Sequence, residues 1–209
     1  MQAINFIEIE TKSGYRSFEL HCDDITDLEF DVDLLVISAF SKSYQPIPGT
    51  VIGALYDRGI NVEELVENCM FDFRDTFGGW ISREINESTF KQILCIEMKG
   101  TDFVLEETIK NLFTVLSILE IGRLQIRSIA LPLIGTGNQK FDPTNVVSTL
   151  IDKAIDFLHH ARYLEKIVFV EYNDVKATTL SDAMDRQLGR SKVRVPKGPL
   201  VDGIKQEIL

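Results

Sequence analysis

Two glycine-containing loops are the segments whose composition can do chemistry. The first is Pro46-Ile47-Pro48-Gly49-Thr50-Val51-Ile52-Gly53, which follows an apolar run ending near Ser38. The second runs from Leu131 to Pro143 and contains Gly135-Thr136-Gly137-Asn138. Each leads from a strand pattern into a helix pattern, where backbone N–H groups and a helix N-terminus can cradle phosphate. Glycine suits such a loop because a side chain would block the ligand's approach. Either loop alone is equally well read as a tight strand-to-helix turn. The second is neither a Walker A loop, since Lys140 lacks the preceding glycine and following Ser or Thr, nor a GxGxxG fingerprint.

Other reactive side chains are less promising. His159 and His160 are adjacent on a helical pattern, so they diverge and read as a surface pair. Cys22, Cys69 and Cys95 are widely spaced with no CxxC pair, which argues against a disulfide scaffold or a zinc module. Cys22 and Cys95 fall in strand patterns and read as small core hydrophobes; acids around Cys22 would raise its pKa. Trp80 reads as a packing anchor. No metal site, cofactor or Ser-His-Asp arrangement can be argued.

The elements that must position the loops alternate between strand and helix. Ile4 to Glu10 and Arg16 to His21 alternate across Lys12-Ser13-Gly14, a hairpin-like start. Leu34 to Ile37 is an unbroken apolar run, as in a strand buried on both faces. Val62, Leu65, Val66, Cys69, Met70 and Phe73 recur at helical spacing, and Phe90 to Ile96 is another strand. Leu105, Ile109, Leu112, Leu116 and Leu119 mark an amphipathic helix that Gly122 closes. Ser128 to Leu133 is a strand, Asp142-Pro143 starts a helix buried through Val147, Leu150, Ile151, Ala154 and Leu158, and Ile167 to Tyr172 and Ala177 to Leu188 are the last strand and helix. This order predicts a three-layer α/β/α domain over 1–189, with about six strands in a mixed central sheet.

Composition sets the boundaries. At 209 residues, with 44% apolar and 26% charged residues, the chain is ordinary globular protein. No apolar run approaches the roughly 20 residues that span a bilayer, and Glu8 and Glu10 precede the first lysine, against a secretory signal. A cytoplasmic protein with no membrane partner is expected. The net charge of −10 would repel duplex DNA, while a small anion can still be held by local donors. Residues 190–209 carry +3 and the remainder −13, so the tail reads as a solvated extension or as a linker to a further domain beyond Leu209.

Asp23-Asp24-Ile25-Thr26, Leu35 to Phe40, Pro48-Gly49-Thr50-Val51 and Leu131 to Gly137 stand in the order of a GDIT-like turn, a strand ending in NAAN, a glycine-rich loop and a second loop before a helix. In this the chain resembles the macrodomain family of ADP-ribose-binding modules, as a divergent member, over about Phe6 to Gly189. The resemblance implies that Asp24 accepts from the adenine amino group and Ile25 flanks the base; a solvated turn aspartate is the alternative. It makes Gly49, Thr50 and Val51 a first phosphate loop, with the family's three glycines reduced to one, and Gly135, Thr136, Gly137 and Asn138 a second. Phe141 matches an aromatic near the distal ribose, or a core residue. Tyr172 matches an aromatic against adenine, where stacking contributes about 1–3 kcal/mol in comparable contacts, or is half buried in the core.

The departures bear on catalysis. The family's asparagines in NAAN are matched to Ile37 and Phe40, its aspartate after the glycine loop to Ile52, and a tyrosine to Gln139. The resemblance therefore implies capture of ADP-ribose or a related NAD-derived adenine nucleotide without efficient hydrolysis. Two alternatives stand beside it: a hydrolase of ADP-ribosyl or O-acyl-ADP-ribose bonds using Asp24, Gln139 or Lys140, and a degenerate module that mediates protein contacts.

Overall fold

The computed structural model describes residues 3–98, 105–134 and 143–189. Its chain starts with the expected hairpin. Strands β1 (Asn5–Thr11) and β2 (Gly14–Cys22) pair antiparallel from Thr11↔Gly14 outward, and the Thr11 hydroxyl donates to the Gly14 carbonyl at 2.7 Å. Alternation sends Ile7, Ile9, Phe18 and Leu20 inward and leaves Phe6 and Glu8 in solvent.

Among the described residues eight strands form one sheet in the order β1-β2-β8-β7-β3-β6-β5-β4. The others are β3 (Val32–Phe40), β4 (Phe71–Asp72), β5 (Gly79–Ile81), β6 (Phe90–Met98), β7 (Ser128–Pro132) and β8 (Lys166–Glu171). The run β2-β8-β7-β3-β6 is parallel and its flanks are antiparallel, so the sheet is mixed as expected. Asp33 pins the bottom of β3 to β7, its carboxylate accepting from the Arg127 and Ser128 N–H groups at 2.7 and 3.1 Å.

Six helices complete the layers among the described residues: α1 (Val51–Asp57), α2 (Val62–Glu67), α3 (Arg74–Phe77), α4 (Leu105–Ile121), α5 (Pro143–His160) and α6 (Asp174–Gln187). One core joins α4, α5 and α6 to one sheet face through Leu34, Val36, Leu94, Ile129 and Phe169. The other joins α1 and α2 to the opposite face through Leu35, Ile37, Ile93, Cys95, Ala130 and Val168. Adjacent residues of β3 thus serve opposite layers, which is why Leu34–Ile37 is continuously apolar. Among the described residues no helix is long and apolar enough to cross a membrane.

Two expectations need correction. The sheet has eight strands rather than about six, because β4 and β5 are too short to leave a period. The helical spacing predicted through Phe73 ends at Glu67: Asn68 leaves helical geometry, Met70 N–H bonds the Ile81 carbonyl, and Phe71-Asp72 pair with Ile81-Trp80. Backbone pairing with a distant strand outweighs a marginal two-turn continuation. Trp80 is fully buried with its ring edge-on to Tyr44, the anchor expected of it. The tail 190–209 lies outside the described residues.

Candidate functional site

A cleft of about 640 Å³ opens over the carboxyl ends of the parallel strands, where ligands of open α/β sheets bind. It reaches from Asp24 at the end of β2, past Tyr172, Leu133 and Phe40 after β8, β7 and β3, to Met98 on β6. At about 4.8 Å per strand the floor spans about 14 Å from β2 to β3 and about 19 Å to β6.

The β2 end is a tight acidic turn. Asp24 Oδ1 accepts from the Thr26 N–H at 2.9 Å and the Thr26 hydroxyl at 2.7 Å, while Oδ2 accepts from Arg58 Nη2 at 3.1 Å. Burial alone would raise the Asp24 carboxyl, but the Thr26 and Arg58 hydrogen bonds outweigh it and hold it below the usual range. It is therefore an ionised acceptor with a lone pair to spare on Oδ2. Arg58, just after α1, also reaches Asp27 at 3.0 Å and the Thr26 hydroxyl at 2.9 Å, tying the turn to the first loop's helix. Nothing in the sequence marked Arg58, because it meets Asp24 across 34 positions. Beside it, Asp23 Oδ2 is buried without a hydrogen-bond partner among the described residues.

Ile25 is buried beneath this end and lines the cleft. Tyr172 is 81% exposed at the rim, so the half-buried core alternative does not hold. Cys22 is a second correction: it is half-buried rather than a core hydrophobe, and its thiol donates to Asp174 Oδ1 at 2.9 Å. Burial and the Asp174 carboxylate push that thiol up to about 11. Cys95 is buried as expected, and His159 and His160 are both exposed.

Gly49, Thr50 and Val51 all line the cleft. Gly49 sits at φ +79°, which favours glycine. Thr50 is the N-cap of α1: its oxygen accepts from the Gly53 N–H at 3.1 Å and its hydroxyl donates to the Ile47 carbonyl at 2.7 Å. A helix leaves its first N–H groups without intrahelical acceptors, and Val51 and Ile52, the first residues of α1, line the cleft. Gly53 was overlooked as a determinant: a Cβ there would stand 2.3 Å from the Ile47 carbonyl oxygen.

Gly135, Thr136, Gly137, Asn138 and Phe141 lie outside the described residues, as do Gln139, Lys140 and Asp142. The strand before that loop ends at Pro132 beside the cleft, and α5 begins at Pro143.

The strand end of β3 corrects another expectation. Ile37 is fully buried in the core beneath α1 and α2 and does not line the cleft, whereas the last three residues of β3, Ser38, Ala39 and Phe40, do; Ile37 lies one step too deep in the strand, since Ala39 reaches the cleft from the same face. Phe40 and Ile52 do line it. The turn after Phe40 is firmly held: Ser41 Oγ donates to Glu97 Oε2 at 3.0 Å, the buried Tyr44 hydroxyl donates to Glu97 Oε1, and Ser43 N–H bonds the Phe40 carbonyl at 2.9 Å. Burial and Glu97 together raise the Tyr44 hydroxyl, keeping it a donor. Among the described residues the charged lining is Asp23, Asp24, Asp57 and Glu171 against Lys176, so these side chains leave an anion to be held there by backbone N–H groups more than by cations. Among the described residues no His, Cys, Asp and Glu group is placed to hold a metal.

No family model and no curated protein matches the sequence. Solved structures do. A glycine-to-valine mutant of the Oceanobacillus iheyensis macrodomain with ADPR aligns at TM-score 0.66 and 15% identity, over 89% of this chain and 100% of that one. An aspartate-to-alanine mutant of the same macrodomain gives 0.67 at 16% identity, over 89% and 99%. The Trypanosoma brucei macrodomain in complex with ADP gives 0.62 at 18% identity, over 80% and 68%. With a mixed sheet between two helical layers and a cleft over its parallel strand ends, this chain has the macrodomain fold.

Proposed function

We propose that the chain is a binding module for ADP-ribose or a related NAD-derived adenine nucleotide. The observation that carries this reading is the cleft. It gathers Asp24, Ile25 and Tyr172 at one end and the Gly49–Val51 helix start along its wall, over a floor about 14–19 Å long. The aromatic rim and ionised acceptor suit a base bearing an exocyclic amine, and the helix start suits a diphosphate. Similar folds include macrodomains solved with ADP and with ADP-ribose. Phe40 and Ile52 on the lining favour capture without efficient hydrolysis. The proposed setting is cytoplasmic, with neither duplex nucleic acid nor membrane as partner, and with 190–209 as a tail or linker.

The test is calorimetry with ADP-ribose, ADP, AMP and NAD. Gly135, Thr136, Gly137 and Asn138 are proposed as the second phosphate loop and Phe141 as an aromatic near the distal ribose. Gly137→Val should abolish nucleotide affinity while the circular dichroism spectrum persists. Asp24→Ala should weaken adenine nucleotides more than inorganic pyrophosphate, since it removes only the base contact. A folded Gly137→Val protein that binds ADP-ribose like the parent would defeat this reading and leave a protein-contact module.

A further inference from the structure

The two ends of the cleft differ in chemistry. The β2–β8 end carries Asp23, Asp24, Glu171 and Lys176. Among the described residues the β3–β6 end is mostly apolar: Ala39 and Met98 are each 5% exposed, Phe40, Ile47 and Leu133 also line it, and Ser38 is the one polar side chain on the floor strand. Phe40 faces Met98 directly in the β3–β6 register. Phe40 is 42% exposed, yet its backbone is fixed, because Ser41 and Tyr44 both bond the buried Glu97 and Ser43 closes back on Phe40. Phe40 thus lines the cleft from an anchored turn. Ser43 and Gln45 are exposed at the rim, and Ser38 is partly covered beside Ala39.

Resting on the adenine-nucleotide reading above, we propose that Phe40 determines ligand choice at this cleft, and that the β3–β6 end takes a planar, apolar group attached beyond the diphosphate. A hydroxyl-rich sugar pressed against a phenyl ring and a thioether gives up more water hydrogen bonds than Ser38 and the rim groups Ser43 and Gln45 can replace. A flat apolar group instead gains an aromatic contact and excludes water from Met98 and Leu133. The distances agree. A base at Asp24 and a group at Phe40 are about 14 Å apart across three strand spacings, a span for a nucleoside diphosphate with a short further group.

The experiment compares two probes, ADP-ribose and the β-phenyl ester of ADP, by calorimetry, with ADP as reference. In the unmodified protein the phenyl ester should bind about tenfold more tightly than ADP-ribose, and Phe40→Asn should bring that ratio down to about one or invert it. Phe40→Leu, which keeps the apolar volume without the ring, should retain part of the preference. A wild-type ratio at or below one overturns the inference, as does a ratio that folded Phe40→Asn protein leaves unchanged. If ADP binds while that ratio fails, only this inference falls. If a folded protein binds none of the three, the adenine-nucleotide reading falls and takes this inference with it. Should neither variant fold, the wild-type ratio decides alone.

Discussion

Replacing Gly53 by alanine should destabilise the protein, although glycine-to-alanine within a helix ordinarily does the opposite. Alanine gains about 1 kcal/mol over glycine in a helix interior. At Gly53, however, the new Cβ would lie 2.3 Å from the Ile47 carbonyl oxygen and 2.9 Å from its carbon. That is about 0.7 Å inside the 3.0 Å that real Cβ atoms respect, and the obstruction is backbone, which cannot rotate away. The same Ile47 oxygen accepts from the Thr50 hydroxyl at 2.7 Å and the Thr50 N–H at 3.2 Å. Moving Ile47 aside therefore loosens two hydrogen bonds at about 0.5–1.5 kcal/mol each and shifts the N-cap of α1. With about 1 kcal/mol for the disturbed N-cap offsetting the propensity gain, the net expected loss is about 1–3 kcal/mol. Urea denaturation measures it, and calorimetry with ADP-ribose should show weakened binding, since Gly49–Val51 moves with Ile47. A Gly53→Ala protein that is more stable than the parent, with unchanged affinity, would refute the claim that this glycine is required by the close approach of the first loop.

Two further outcomes are expected. The Glu19 carboxyl is held down at about 2 by the His21 hydrogen bond, with Lys166 and Ser17 adding to it against the opposing effect of burial. A depressed folded-state pKa contributes stability that is present above about 4.5 and lost as pH falls toward 2, on the order of 2–3 kcal/mol; Glu19→Gln should flatten the acid limb of a denaturation-against-pH curve, and an unchanged limb would show that the pair is not coupled to folding. Incubation with a mono-ADP-ribosylated protein should release ADP-ribose slowly or not at all, because Phe40 and Ile52 supply no hydrogen bonds to orient water, a loss typically worth about 10²- to 10⁴-fold; turnover matching an active macrodomain hydrolase would contradict this.

Local pattern already determined much of the architecture. The β1–β2 hairpin, the doubly buried β3, the amphipathic α4 and the closing β8–α6 pair are each marked by short-range periodicity, which burial on one or two faces imposes directly on neighbouring residues. Gly49, Thr50 and Val51 stood out in the sequence as a turn between a strand and a helix, and Asp24, Ile25 and Tyr172 only through the macrodomain resemblance; all six line the cleft. Tertiary structure alone decided the rest. Phe71-Asp72 became a strand only because Trp80-Ile81 lies alongside, and Asp24 became a tied carboxylate only because Arg58 folds back across α1. Which residues of β3 reach the cleft turned on where its packing stops: Ile37 is covered, while Ser38, Ala39 and Phe40, from both faces, line it. In a sheet covered on both sides both faces are apolar, so the pattern that reveals the strand does not mark the residue at which the covering helices end and the ligand edge begins; the neighbouring strands and helices set that.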